Sequence, residues 1–314
     1  MKTLITLVAG AVAAALLCVA SVSPSYAQTT TFISGGGSDA NPCTLALPCQ
    51  TIARGVAVAG SGGTVSCLDA GPYTNGFGLN FSYTVDCRGV VTSAGTAFAF
   101  LVNAAGQVVT IRNVIFDGSK GGAGAIQIQG GKVVLENCTF QNFTAAPAEA
   151  IQFVPTAAAH LTVADSVVAN NGTVSGGGGI VINPSAPGIK ATAVIERTQV
   201  TGNSYGIVAI GSSGTALIDI RYSSIASNAL DGIWSFSGGS VASIVVDHSA
   251  SVQNGGNGIN ATGANAFVSL NDSTVAWNAT GLATSSGGTI LSYKNNVIAG
   301  NLSPGVTPVA VSPQ

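Results

Sequence analysis

Three stretches decide how this chain folds. They are Ile218-Asp219-Ile220-Arg221-Tyr222-Ser223-Ser224-Ile225-Ala226-Ser227-Asn228, Ile244-Val245-Val246-Asp247-His248-Ser249-Ala250-Ser251-Val252-Gln253-Asn254 and Val268-Ser269-Leu270-Asn271-Asp272-Ser273-Thr274-Val275-Ala276-Trp277-Asn278. Written one above another, they superpose position by position. Apolar and polar residues alternate, which is the period of a strand with one buried face. A polar bend follows, then an anchor (Ile225, Ser251, Val275), then an asparagine three residues later. The same frame extends outward. Phe116, Phe140, Val168, Val200, Ile225, Ser251, Val275 and Ile298 form one anchor column, at intervals of 24, 28, 32, 25, 26, 24 and 23 residues. Five residues ahead of them stand Ile111, Leu135, Val163, Ile195, Ile220, Val246, Leu270 and Tyr293. A fixed period of this size signals stacked repeats, each unable to bury its apolar face alone.

The polar columns carry the bends. Three residues before the anchor the chain reads Asn113, Asn137, Asp165, Arg197, Tyr222, His248, Asp272 and Asn295. Six of these are Asn, Asp or His, types suited to the left-handed backbone that a sharp turn needs. The next column is mostly small and polar: Val114, Cys138, Ser166, Thr198, Ser223, Ser249, Ser273, Asn296. Three residues after the anchor come Asn171, Asn203, Asn228, Asn254, Asn278 and Asn301, spaced to stack and hydrogen-bond to one another. Another strand then starts at pairs such as Gly206-Ile207, Gly232-Ile233 and Gly258-Ile259. Each coil therefore has three short strands and three bends. The expectation is an all-β solenoid of about ten coils, a rod roughly 50 Å long at about 4.8 Å per coil.

Composition agrees. Charged residues make up 7% of the chain, against about 25% in ordinary soluble domains. Abundant Val, Ile and Leu argue against disorder, because they can bury a core. A net charge of −2 gives no electrostatic case for nucleic acid or an anionic membrane. Lys2, the apolar run 4–20 and Ser25-Tyr26-Ala27 read as a secretory signal peptide over 1–27. No membrane insertion is expected of the mature chain, and export places it outside the cell or in a periplasm.

The pattern resembles the right-handed parallel β-helix proteins of the pectin-lyase-like superfamily. The opening segment is similar to theirs too: Pro48-Cys49-Gln50-Thr51-Ile52-Ala53-Arg54-Gly55-Val56-Ala57, then Gly62-Gly63-Thr64-Val65 and Ala70-Gly71-Pro72-Tyr73. The resemblance implies a short amphipathic helix capping the first coil, with Ile52, Val56 and Ala59 at helical spacing and Gly55 weakening it. The expected organisation is a signal peptide at 1–27, an N-terminal segment with the capping helix at 28–62, the β-helix at 63–303 and a tail at 304–314.

Thr64-Val65-Ser66-Cys67 and Thr84-Val85-Asp86-Cys87 match by pattern. On adjacent coils their cysteines fall within disulfide reach. The expectation is Cys67–Cys87 and Cys43–Cys49, with Cys138 free and buried; the alternative is that Cys67 and Cys87 stay reduced in the core.

The superfamily includes lyases, hydrolases and epimerases acting on acidic polysaccharides. The Asp-Asp, Gly-His-Gly and Asp-Pro-His elements of such enzymes do not occur here. The strands that begin at the Gly-Ile pairs turn Gln127, Gln129, Gln152, Val154, Val181, Asn183, Val208, Ile210, Trp234, Phe236, Asn260, Thr262, Ala283 and Ser285 outward, with Glu149 and Asp231 the nearest carboxylates. An aromatic group flanked by amides suits a sugar ring or a partner, so Gln152, Asn183, Val208, Ile210, Trp234 and Phe236 form the candidate binding surface. A weaker candidate for catalysis is the bend column with Arg221, Tyr222, Asp247, His248 and Asp272, where His248 beside Asp247 and over Asp272 would be an oriented, protonatable group. Solvated turn residues explain the same column. No metal site and no cofactor is expected. The favoured function is non-catalytic binding of an extracellular polysaccharide or cell-surface partner; the alternative is a polysaccharide lyase or glycoside hydrolase with an atypical site on acidic polysaccharide.

Overall fold

The structure is a computed structural model that describes residues 29–312, apart from 75, 76, 94, 96, 174 and 175. The expected signal peptide lies outside the described residues. The chain winds through strands in a repeating order of three, as in Ile233–Ser237, Ala242–Asp247 and Ala250–Val252, and then begins again at Asn257–Thr262. Each strand pairs in parallel with its counterpart one coil away, so the molecule has three faces. Among the described residues the third face contains ten strands, from Tyr73–Thr74 to Val297–Ala299. Ten strands give nine coil-to-coil steps, or about nine turns against the ten expected. The first two faces join where Phe98–Arg112 and Gly124–Glu136 run unbroken around the corner between them.

The anchors form a continuous interior column. Phe116 pairs with Phe140, then in turn Val168, Val200, Ile225, Ser251, Val275 and Ile298. The Phe116 and Phe140 rings stack with centroids 5.1 Å apart. Ser251 is the polar member, and its buried hydroxyl donates to the Gly258 carbonyl at 2.6 Å, which offsets its desolvation.

The bends follow from backbone chemistry. Asn113, Asn137, Asp165, Arg197, Tyr222, His248 and Asp272 all take positive φ, between 42° and 65°. The following column is an interior hydroxyl ladder: Ser223 Oγ accepts from Thr198 N, Ser249 Oγ from Ser223 N and Ser273 Oγ from Ser249 N, at 3.1 to 3.2 Å. The asparagines form a second ladder. Each amide nitrogen from Asn171 to Asn278 donates to Oδ1 of the next, at 2.9 to 3.1 Å. Each also donates to the carbonyl of an anchor one coil back. Buried backbone groups at this corner are thereby satisfied without a sheet partner.

The last coil departs from the expected register. Leu270 pairs with Ser292, and Tyr293 lies at the surface. Asn295 and Asn296 are occupied as hydrogen-bond partners of Asn271 and Ser273. The positive-φ residue moves back to Lys294, φ 68°, which lengthens the bend by one residue.

The helix Ile52–Ala59 covers the first coil with Ile52, Gly55, Val56 and Ala59. Thr51 caps it by accepting from Arg54 N at 3.1 Å. Gly55 is there for room: a Cβ would stand 2.9 Å from Val65 Cγ1 and 3.0 Å from Ile33 Cγ2. The solenoid extends beyond both boundaries drawn from the sequence. Thr30–Ile33 pairs with Thr64–Cys67, inside the expected N-terminal segment. Ser303–Gly305 straddles the expected boundary and Val309–Ala310 lies inside the expected tail, and both add to the sheet. In each case a short strand supplies partners to backbone groups left open by its neighbour.

Cys43–Cys49 and Cys67–Cys87 are disulfides, each with Cα atoms 4.6 Å apart, so the reduced alternative fails. Cys138 is free and buried, and burial pushes its thiol up to about 11. Among the described residues no helix is long and apolar enough to cross a membrane.

Candidate functional site

The outward side chains of the first face stand in three columns. The central one runs Gln127, Gln152, Val181, Val208, Trp234, Asn260, Ala283. Beside it Ile210 pairs with Phe236, Phe236 with Thr262 and Thr262 with Ser285. The leading column carries Glu149, Gly178 and Tyr205, and then Asp231 and Asn257. Asn183 follows directly on the strand Gly178–Ile182.

Three rings meet on this face. Tyr205 stacks on Trp234 with centroids 5.4 Å apart, and Phe236 meets Trp234 edge-on at 5.6 Å. The indole is fixed by a chain of hydrogen bonds. Trp234 Nε1 donates to Thr262 Oγ1 at 3.3 Å, Thr262 to Asn260 Oδ1 at 3.2 Å, and Asn260 Nδ2 to Asp231 Oδ2 at 2.8 Å. Asp231 also accepts from the backbone and side-chain nitrogens of Asn257. The rings are therefore half-buried and oriented before any ligand arrives, with Ile210 beside them.

Two sequence readings change here. Val208 is only 4% exposed; it sits between Val181 and Trp234 in its column and forms the floor of the strip rather than a contact surface. Tyr205 was not among the expected residues. It precedes the Gly206-Ile207 strand start, where alternation predicts no orientation. The usable signal was the residue before each such pair: Tyr205, Asp231, Asn257 and Thr280 occupy equivalent positions.

Next to the strip, Gln152 lies in an amide relay. Gln129 donates to Gln127 at 3.0 Å, Gln127 to Gln152, and Gln152 to Glu149 Oε2 at 2.7 Å. Burial raises the Glu149 carboxyl above the usual range, and the Gln152 bond opposes this. Glu149 and Asp231 stand three coils apart, about 14 Å.

The bend column is assembled as its spacing implied. His248 Nδ1 lies 2.9 Å from Asp247 Oδ1, and Nε2 lies 3.0 Å from Asp272 Oδ2. Tyr222 covers it with ring centroids 5.1 Å apart. Arg197 binds Asp165 in two-pronged fashion at 2.7 and 2.9 Å, and Arg221 pairs with Asp219. A hollow of about 550 Å³ runs beside Arg197, Tyr222, His248 and Asp272. Both histidine nitrogens face carboxylates, so neither is placed to take a proton from a substrate. His160, on the second face, is held by hydroxyls of Thr192 and Thr162. Among the described residues, no three His, Cys, Asp or Glu side chains cluster to hold a metal ion.

The profile of a family described as a right-handed β-helix region matches residues 55–219. No curated protein matches the chain. Among solved structures, a rhamnogalacturonan lyase is 15% identical, with 78% of this chain and 73% of that chain covered and a TM-score of 0.55. The mannuronan C-5 epimerase A-module of Azotobacter vinelandii is 15% identical, covering 80% of this chain and 91% of its own, with a TM-score of 0.47. Pectate lyase Pel9A is 14% identical over 91% of this chain and 78% of its own, with a TM-score of 0.43. At such identities the first shows a shared winding of the backbone and nothing of its chemistry. By its matched coils and its parallel three-faced winding, this chain belongs to the right-handed β-helix family.

Proposed function

We propose that this protein is an exported, non-catalytic β-helix that binds an extracellular polysaccharide along its first face. One observation carries the reading. Tyr205, Trp234 and Phe236 form a contiguous strip, set among amides and hydroxyls, with the indole fixed through Thr262, Asn260 and Asp231. Aromatic rings offer apolar contact area, while the surrounding polar groups can match a sugar's hydroxyls. Preorganisation lowers the entropy lost on binding. Two disulfides fit an oxidising compartment, the kind of destination that the signal peptide expected over 1–27 would imply.

The rival reading, a lyase or hydrolase, draws on Glu149, a carboxyl with its proton affinity raised by burial on the same face. It lacks a partner at working distance. A glycosidase pair stands about 5 to 9.5 Å apart, against about 14 Å between Glu149 and Asp231 over three coils. The deciding measurement pairs a glycan array with product assays on the same polymers. Binding without turnover, weakened roughly tenfold by Trp234→Ala, is the expected result. Turnover abolished by Glu149→Gln would establish the rival.

A further inference from the structure

We infer that the polymer held by the aromatic strip is uncharged, a neutral polysaccharide rather than a polyuronate. This rests on the reading of the first face as a glycan site and narrows it to a substrate class. The outward groups of the face are amides, hydroxyls, aliphatic side chains and rings, from Gln127 and Gln152 through Trp234 and Phe236 to Asn260 and Thr262. Amides and hydroxyls both donate and accept, as sugar hydroxyls do. The charges that do border the strip are negative. In the column of Tyr205, Asp231 lies one coil to one side and Glu149 two coils to the other. A polyuronate brings one carboxylate per sugar. Each would approach Asp231 and Glu149, and each would need a cation to replace its water.

Among the described residues, three of the rod's cations are paired away from this face. Arg112, Arg197 and Arg221 pair with Asp86, Asp165 and Asp219 on the second face and its bend. Lys120 and Lys190 stand in the bends that flank the first face, before Gly124–Glu136 and at the start of Lys190–Glu196. Neither is in the coil of Trp234. The difficulty Glu149 already has in holding a charge points the same way, since a uronate nearby would raise its proton affinity further. The stacked rings occupy successive coils, so a bound chain would run along the rod. Beside this face, Ser185 N donates to the Pro155 carbonyl and Gly178 N to the Ala148 carbonyl, each at 3.0 Å, which ties neighbouring coils together there.

The test uses the full mature chain in affinity electrophoresis and calorimetry. The probes are xyloglucan, mixed-linkage β-glucan and galactomannan as neutral polymers, and polygalacturonate and alginate as acidic ones. Expected is binding to at least one neutral polymer that changes less than about twofold between low and high salt. Trp234→Ala and Tyr205→Ala, each checked for retained sheet by circular dichroism, should weaken it roughly tenfold. If a polyuronate binds more tightly, weakens with salt and still depends on Trp234, the substrate class is wrong and the site stands. If no polymer binds, or binding ignores both variants, the site itself is wrong.

Discussion

Asn228 lies inside the wall of the solenoid, where its side chain replaces a strand partner. Its Nδ2 donates to Asn254 Oδ1 at 2.9 Å and to the Val200 carbonyl at 3.3 Å. Its Oδ1 accepts from Asn203 N at 3.0 Å and from Asn203 Nδ2 at 3.1 Å. Alanine at this position would deprive Asn203 N of its acceptor, remove one of the two bonds of Asn203 Nδ2 and take a donor from the Val200 carbonyl. At about 1 to 3 kcal/mol per orphaned group, less some local relaxation, Asn228→Ala should cost about 3 to 5 kcal/mol. Asn301, the half-buried last rung, receives the same bonds beside solvent, so Asn301→Ala should cost about 1 kcal/mol. Urea denaturation of the two variants checks the contrast; equal losses would mean the ladder's burial is not what matters. This ladder was legible in the sequence because one residue type repeats at one offset. The residue before each rung was not. Asn170, Gly202, Ser227, Gln253, Trp277 and Gly300 all take positive φ, between 54° and 69°. Their types are mixed, because the asparagine that follows imposes the backbone conformation rather than their own preference. Trp277 is the extreme case, 65% exposed on a left-handed backbone.

At the scale of elements, strands were easier to read than their ends. The strand register is carried by alternation, and it held wherever both flanking bends kept their length. It slipped by one in the last coil, where three residues in a row (Lys294, Asn295, Asn296) can each serve a bend and only hydrogen bonding decides among them. The same weakness hid Tyr205, which occupies a strand end. The candidate face was therefore legible in register but not in depth, as Val208 illustrates: alternation says which way a side chain points and nothing about what closes over it. The capping helix shows propensity and packing in opposition. Gly55 lowers helix propensity by about 1 kcal/mol relative to alanine. Its missing Cβ, however, is what lets the helix rest on Val65 and Ile33, both 0% exposed. Overpacking of such a contact costs about 1 to 3 kcal/mol. Gly55→Ala should thus destabilise the protein by about 1 kcal/mol net, despite the better helix former. A thermal melt that rises instead would show that the helix is not seated as described.

At the scale of the molecule, each coil touches only its neighbours, so stability is distributed along the rod rather than held in one centre. The two disulfides lie in the first third of the chain, where the coils are least regular and the two ladders have not begun. Cys67–Cys87 clamps two adjacent coils and closes a separation of 20 residues, which in the chain-entropy account stabilises by about 3 kcal/mol. In a compact globule that contribution would be shared by the whole fold. Here it should be local. Replacing both cysteines with alanine is expected to raise amide exchange through Thr64–Cys67, Tyr83–Asp86 and the helix Ile52–Ala59, while the strands from Thr215–Arg221 to Thr280–Ser285 keep their protection. The free thiol does not confuse the measurement, because Cys138 is buried and its thiolate disfavoured. Reduction of the native chain should reproduce the same pattern. Loss of protection spread evenly along the rod would mean that the coils unfold as one unit, and that the clamp and the aromatic strip, five coils apart at their nearest members, are energetically joined.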